Sequence, residues 1–525
     1  MTYSENIKHA AILLIIFAAA FLVNGAGYFL TGIPLKYHLS SDTLVHQVHW
    51  QEASKYYNGN FVNDAMFQNS NGWPTGQLFI NKVLVRVAEA FRIDLLDWTI
   101  FISVFSLILF LSGVYFLVFY TLKNKLLGLV ISLASIIPVI SLGLSGWGFL
   151  VLGFVPKTLA VGITVWLSVL YFSGIIQNSK ARIFDFFLLL GIFSNWYPIV
   201  FFHYAMVMLT VEVVMARKIK KEHILYGLIF LAASPVALFD LFVKSTGFST
   251  PDIAVIYNHY TWVLHSWKYL IFHYLRKQII YSAIIGGLWY IYRRILKMEY
   301  PKALHYWYAI WWSTLLWSLV GVGTELFAPL YMKYLLARIS VWFYLASMVI
   351  VAYTSYEIYF AKFKRTVLHA AAYSLILLSV LLSQTSLLST YDGIKDFRNE
   401  ASDYKQQIAA ILEIKEKVPT GTILLVNPDG EASNIRAYGG FGIYVSQKDG
   451  NVALTDGKAG AKWLKRYKET AEVFAQKDFN SIQNFAIEKK LQYYFFDKKD
   501  VERGTSILKS LIVYEQGDYG IAKMY

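Results

Sequence analysis

Apolar runs of about the length of a bilayer crossing alternate along this chain with short basic turns. A helix needs about 20 apolar residues to span the hydrocarbon layer. Runs near 10–30, 98–120, 126–145, 157–176, 183–196, 197–215, 223–243, 278–294, 304–323, 339–360 and 366–388 meet or approach that length. The pattern predicts an α-helical polytopic membrane protein of about eleven spans. The stretch 183–215 is read as two spans, because Asn195-Trp196-Tyr197-Pro198 interrupts it and proline disfavours helix in the residue before it. Lys8 precedes the first apolar core as in a secretory signal. That core is long and no small-x-small cleavage site follows, so an uncleaved anchor is expected.

The basic turns give the orientation. Lys123/Lys125, Lys180/Arg182, Arg217/Lys218/Lys220/Lys221, Arg293/Arg294/Lys297/Lys302 and Lys362/Lys364/Arg365 fall after every second crossing. Lys and Arg beside span ends are retained in the cytoplasm. The N-terminus is therefore expected in the cytoplasm, with the polar stretch 31–97 and everything after 390 outside. An unbroken helix over 183–215 would reverse all later basic turns, a second reason to expect the break.

Two domains follow: a membrane domain over 1–390 with 31–97 as its large first external loop, and a soluble α/β domain over 395–525. The tail's pattern predicts helices at 401–418, 459–476 and 481–490 and strands at 422–426, 493–496, 511–514 and 520–525. Its Gly439-Gly440-x-Gly442 lacks the spacing of a nucleotide-binding fingerprint, and Arg436 is expected as an exposed structural arginine.

Composition agrees with a membrane protein: 56% hydrophobic and only 16% charged residues, with mean hydropathy +0.45. The net charge of +14 would suggest nucleic acid in a soluble protein. Here the excess sits largely in the basic turns, where anionic lipid headgroups are the expected partner and nucleic acid is not. The absence of cysteine excludes disulfides and thiolate metal sites.

A loop as long and polar as 31–97 is expected to have work to do. It has helical pattern at 42–57 and 77–91. Asp42, His46 and His49 follow i, i+4, i+7 spacing, which puts them on one helix face. The same positions suit a solvated face with an N-terminal cap, and their donor types would also suit a divalent metal, with no fourth ligand in view. Asp64 lies further along the same loop. Asp240 and Lys244 have the spacing of an i, i+4 ion pair.

The chain resembles the GT-C glycosyltransferase superfamily. The resemblance rests on the anchor leading into a large first loop, on Ser41-Asp42 with His46, on Ala53, Tyr57, Gly59 and Asn63-Asp64, and on Phe154-Val155-Pro156-Lys157, Tyr197-Pro198 and Leu336-Ala337-Arg338. The tail is similar to that of bacterial GT-C-like proteins in its strand ending at Pro428 and a helix bearing Trp463 and Arg466. The sequence departs from the pattern in two places: Asp42 stands where many members carry paired acids, and Trp311-Trp312 is followed by Ser313 instead of the Asp of oligosaccharyltransferases.

The resemblance implies transfer of a sugar from a polyprenyl-phosphate donor to a cell-envelope glycan or lipid acceptor, in the plasma membrane and on its outer face. Such a displacement needs a base, for which Asp42 comes first and Asp64 second. It also needs positive charge for the leaving phosphate, from Arg338, Lys333 or Lys157. His46, His49 and Glu325 complete the substrate-binding candidates. For the cations the alternative role is an interface anchor that snorkels to headgroups. A flippase for lipid-linked glycans and a non-catalytic GT-C-like assembly subunit are the competing readings.

Overall fold

The Asp94 carboxylate accepts from the amides of Leu96 and Asp97 at 2.9 and 3.4 Å, and from that cap a 28-residue helix runs to Leu122. At 1.5 Å per residue it is about 42 Å long, more than a bilayer core requires. The computed structural model describes residues 3–31, 41–54, 75–137, 139–140, 146–147, 156–243, 276–327, 339–363, 402–419, 421–430, 432–447, 449–450 and 457–525, with positions 34 and 369. The span expected at 366–388, the loop 244–275 and the proposed boundary near 390–395 lie outside the described residues, apart from His369.

The helices are α1 (Tyr3–Thr31), α2 (Ser41–Ala53), α3 (Thr75–Ala90), α4 (Leu95–Leu122), α5 (Lys125–Ala134), α6 (Pro156–Gln177), α7 (Lys180–Ser194), α8 (Pro198–Ala216), α9 (Lys221–Ala232), α10 (Pro235–Leu238), α11 (Arg276–Tyr290), α12 (Lys302–Phe327) and α13 (Ser340–Phe363). Among the described residues five helices are long and apolar enough to cross a membrane: α1, α4, α6, α8 and α13. There are six if α9 and the following segment Pro235–Phe242, bent by 78°, count as one span. The chain is a mostly helical membrane protein with a small C-terminal sheet.

The break at Asn195-Trp196-Tyr197-Pro198 is present, and α7 and α8 form a hairpin around it. Lys180 at the start of α7 reaches Glu222 just beyond α8 at 2.7 Å. One straight helix over 180–216 would hold those ends about 54 Å apart. Three further contacts place four of the five basic turns at the same end of the bundle: Trp307 donates to Thr121 at 3.3 Å, Tyr171 donates to Glu212 at 2.5 Å, and Trp307 stacks on Phe172. Lys364 and Arg365 of the fifth lie outside the described residues.

The expected span 126–145 is corrected. Helix α5 stops at Ala134 after 10 residues, and an antiparallel pair follows, β1 (Val139–Ile140) with β2 (Gly146–Trp147). Pro138, Gly143, Gly146 and Gly148 make a continuous helix unfavourable there. The chain still returns through the bundle. Trp166 donates to the Leu109 carbonyl at 2.9 Å, and Leu159 packs with Trp98 and Ile102, so α4 and α6 run parallel. The described residues between them are 123–137, which include α5, and the β1–β2 pair.

In the tail, α14 (402–415), α15 (Gly457–Ala475), α16 (Phe479–Glu488) and α17 (Thr505–Leu511) surround β3 (Ile423–Leu425), β4 (Gly442–Ile443), β5 (Tyr493–Asp497), β6 (Ile512–Gln516) and β7 (Tyr519–Lys523). The sheet order is β4-β3-β5-β7-β6. Strands β4, β3 and β5 are parallel, and β7 is antiparallel to both its neighbours. Side chains alternate across it as the strand period demands. Leu424, Phe495 and Ile521 join one core with Ile408 and Ile411 of α14, while Leu425, Tyr494, Phe496 and Ala522 join another with Phe479 and Ile482 of α16. Leu44 and Val48 of α2 belong to the first of these cores. The sheet is therefore docked on the bundle through α2.

The α7–α9 contact tests the hairpin arrangement. A side chain at Gly191 would place its Cβ 2.5 Å from the Phe230 carbonyl oxygen and 2.7 Å from the Ala233 Cβ. Gly191→Leu is expected to lower stability by about 1–3 kcal/mol, read as a lower midpoint of thermal unfolding in detergent. An unchanged midpoint would mean that α7 and α9 do not pack as described.

Candidate functional site

Helix α2 presents a different side to each neighbour, and this positions the candidate residues. Leu44 and Val48 face the sheet's core, while Trp50 and Ala53 pack with Val85 and Ala88 of α3 and with Leu95 and Trp98 of α4. Side-chain amides bond across the seams. Gln51 Nε2 donates to the Ala437 carbonyl at 2.6 Å, Trp50 Nε1 donates to Asn81 Oδ1 at 3.1 Å, and Thr99 Oγ1 donates to Gln47 Oε1. Ser54 just beyond the helix donates to Glu89 at 2.9 Å.

His46 is half-buried, with its Nδ1 3.4 Å from Gln77 Nε2. His49 is buried at 6% exposure. Burial first, then the neighbouring His46 and Arg436, hold its imidazole well below the ordinary value of 6.5. The helix includes Asp42 at its first turn; the Asp42 side chain lies outside the described residues, as does Asp64. Among the described residues no three His, Asp or Glu groups form a metal-binding set.

Helix α3 carries this arrangement to the membrane helices. The Asp240 carboxylate accepts from Thr75 N and Thr75 Oγ1, each at 2.7 Å, and so caps α3; the expected partner Lys244 lies outside the described residues. One residue on, Gly76 passes so close to the α7–α8 break that a Cβ there would fall 1.6 Å from the Asn195 carbonyl oxygen. Asn195 ties that break to the next. Its Oδ1 accepts from Val236 N and Ala237 N at 2.9 and 3.2 Å, and its Nδ2 donates to the Ala233 carbonyl at 2.7 Å.

Beside the break, the beginnings of α6, α8 and α13 converge. Lys157, Tyr197, Val200, His203, Val341 and Trp342 are among the residues that line a cavity of ≈ 20 Å³, enough for about one water. Lys157 is half-buried there and His203 is 5% exposed. Helix N-termini carry partial positive charge and unsatisfied amides, so three of them beside a lysine favour an anion. Lys333 and Arg338, which precede α13 in the chain, lie outside the described residues. Glu325 is in the last turn of α12, and its side chain is likewise outside them.

A run of contacts thus leads from His46 through Gln77 and Gly76 of α3 to Asn195, and the residues that follow Asn195 line the cavity with Lys157. Sequence reasoning missed Gln47, Gln51, Gln77 and Asn81. Each pair is four apart on a helix, a spacing that marks one face. Arg436 corrects the expectation of an exposed residue. It is 1% exposed and pairs with Asp449 in two parallel bonds of 2.8 and 3.0 Å. No protein-family model matches this chain, and no curated protein is similar to it.

The depressed His49 ionisation sets a pH dependence. Between 6.5 and its lower folded value, the unfolded chain binds a proton at this site and the folded chain does not. Stability from this group is therefore full above 6.5 and falls as pH drops through 6.5, by up to about 1.4 kcal/mol per pH unit. Thermal midpoints measured from pH 8 to 5 are expected to fall more steeply for the native protein than for His49→Gln. Parallel curves would remove His49 as a cause.

Proposed function

We propose that the chain is a membrane glycosyltransferase of GT-C type, transferring a sugar from a polyprenyl-phosphate donor to a cell-envelope glycan or lipid acceptor on the outer face of the plasma membrane. The observation that carries this reading is the adjacency of the imidazole-bearing helix α2 to the converging starts of α6, α8 and α13 with Lys157. A direct displacement at an anomeric carbon needs a base and a site that favours the leaving anion, and the run of contacts from α2 through α3 to the α7–α8 break supports assigning them to these two places.

In the proposed reaction Asp42 takes the proton of the acceptor hydroxyl as its oxygen attacks the anomeric carbon. The bond to the donor phosphate breaks with inversion, and the polyprenyl phosphate leaves with its electron pair. Lys157 and the helix starts meet the charge that develops there. Arg338 and Lys333, close before α13 in the chain, are assigned to the same phosphate. His49, kept neutral by its surroundings, and His46 orient the acceptor, Glu325 is assigned to sugar hydroxyls, and Asp64 is the alternative base.

The proposed topology has eleven crossings, the N-terminus in the cytoplasm and the sheet outside. Its support is the gathering of basic turns at the bundle end opposite the sheet, since such turns are retained in the cytoplasm. The native chain has no cysteine, so single substitutions can be labelled cleanly. In intact cells an impermeant thiol reagent is expected to label exposed Ser506→Cys and to spare exposed Lys218→Cys. The reverse result would place the site in the cytoplasm and end this reading.

Asp42→Asn keeps the residue's size and most of its capping ability, so a purely structural Asp42 tolerates it at about 1 kcal/mol or less. A catalytic base instead loses on the order of 10²–10⁴ in rate. With glycans profiled by mass spectrometry in cells carrying each variant, Asp42→Asn is expected to abolish the product. Product lost only with Asp64→Asn transfers the role to Asp64, and product retained in both removes the loop from the chemistry.

A further inference from the structure

We infer that the C-terminal sheet domain is part of the proposed site, and that Arg436, fixed by Asp449, is the positioning residue through which it holds helix α2. This deepens the glycosyltransferase reading and rests on it for the word site, whereas the coupling itself stands on the contacts alone.

The contacts form one sequence. Trp463 Nε1 on α15 donates to the Ser446 carbonyl at 2.8 Å, and Ser446 N donates to Asp449 Oδ2 at 2.8 Å. Asp449, 2% exposed at its side chain, takes both guanidinium bonds of Arg436. Arg436 sits in the turn Ile435–Gly439, whose Ala437 carbonyl accepts from Gln51 of α2. The same turn supplies Ile435, Ala437 and Tyr438 to the core that holds Leu44 and Val48. Every step from the tail helix to α2 is thus a bond or a shared core.

An ion pair this deep is a costly way to stabilise a fold, because desolvation consumes most of the Coulomb gain. What it supplies is a fixed geometry: two parallel bonds leave a guanidinium no rotational freedom. The positive charge so fixed faces the His49 region of α2 and disfavours a second cation there. Among the described side chains, the other ionisable groups on the elements packed there are His46 and Glu52 on α2 itself, Glu89 on α3 (held by Ser54 and Arg86), and Asp94 and Asp97 at the exposed start of α4. Arg436 is the cation that the sheet domain contributes.

Hydrogen exchange on the full-length protein in nanodiscs tests this without any substrate. Arg436→Met with Asp449→Leu replaces the pair by apolar groups and leaves no buried charge unpaired. Protection of α2 amides is expected to fall by roughly tenfold or more while β5 and β7 keep theirs. Labelled histidine spectra should show His49 titrating at higher pH than in the native protein. Gln51→Leu, which leaves the ion pair intact, should reproduce the loss of α2 protection and decides the matter if the double variant also loosens β5 and β7. Unchanged α2 protection in Gln51→Leu together with an unchanged His49 titration in the double variant would overturn the inference. The glycan assay stands apart: normal coupling with Asp42→Asn and Asp64→Asn both active would remove the loop from the chemistry and leave the domain coupling in place.

Discussion

Helix α2 has no single apolar face, and the joining of bundle to sheet depends on that. A thirteen-residue helix is marginal in water by itself, because nucleation is costly and each residue ordered loses about 1–2 kcal/mol of backbone freedom. Leu44 and Val48 are removed from water on one side and Trp50 on another, all at 0% exposure. Each full burial offsets about 1.5–3 kcal/mol of that cost, so losing either surface leaves the helix correspondingly less stable. The amides of Gln47 and Gln51 then fix the helix rotation, since each is bonded to a different neighbour.

Inside the bundle, polarity marks the places where regular helix stops. Asn195 satisfies backbone groups at two breaks at once, and Asp240 caps a helix from a different part of the chain. Backbone freed by a break in a low-dielectric interior has no water to turn to, so a side chain must replace it. A substitution at Asn195 would therefore loosen α7, α9 and α10 together. The glycine at position 76 belongs to the same constraint, for α3 can lie against the break only where no Cβ intervenes.

Charge rhythm made the break at 195–198 legible, because only two helices keep the later basic turns at the same end, and Lys180 beside Glu222 bears that out. Strand period and turn residues made most of the tail legible: the strands expected at 493–496 and 520–525 are Tyr493–Asp497 and Tyr519–Lys523. The two-residue β4 had no signal of its own, since two positions carry no period; the resemblance alone implied a second strand between the one ending at Pro428 and the helix bearing Trp463. The run 126–145 misled because hydropathy counts its residues as apolar and is blind to how proline and glycine bend them. Arg436 misled for the opposite reason. Burial of an arginine depends on a partner thirteen residues away in a loop, and no local pattern announces it. The same holds for the candidate site: the spacing of Asp42, His46 and His49 gives a face, but what the face meets comes from α3, Asn195 and Arg436, all distant in sequence.

That distance has a consequence for assembly. Gln51 and Ala437 are 386 positions apart. Leu44 and Val48 enter a core made largely of residues beyond 400, so α2 cannot reach its final burial until the tail has folded. Contacts of such separation pay their loop-closure entropy before returning any energy. The membrane helices combine near contacts, α4 with α5 and α6 and α7 with α8 and α9, with distant ones such as Trp307 to Thr121, and none of these contacts involves the tail. These membrane contacts can therefore form while the region around His49 is still open, and the sheet domain, made after them, is the one that closes it.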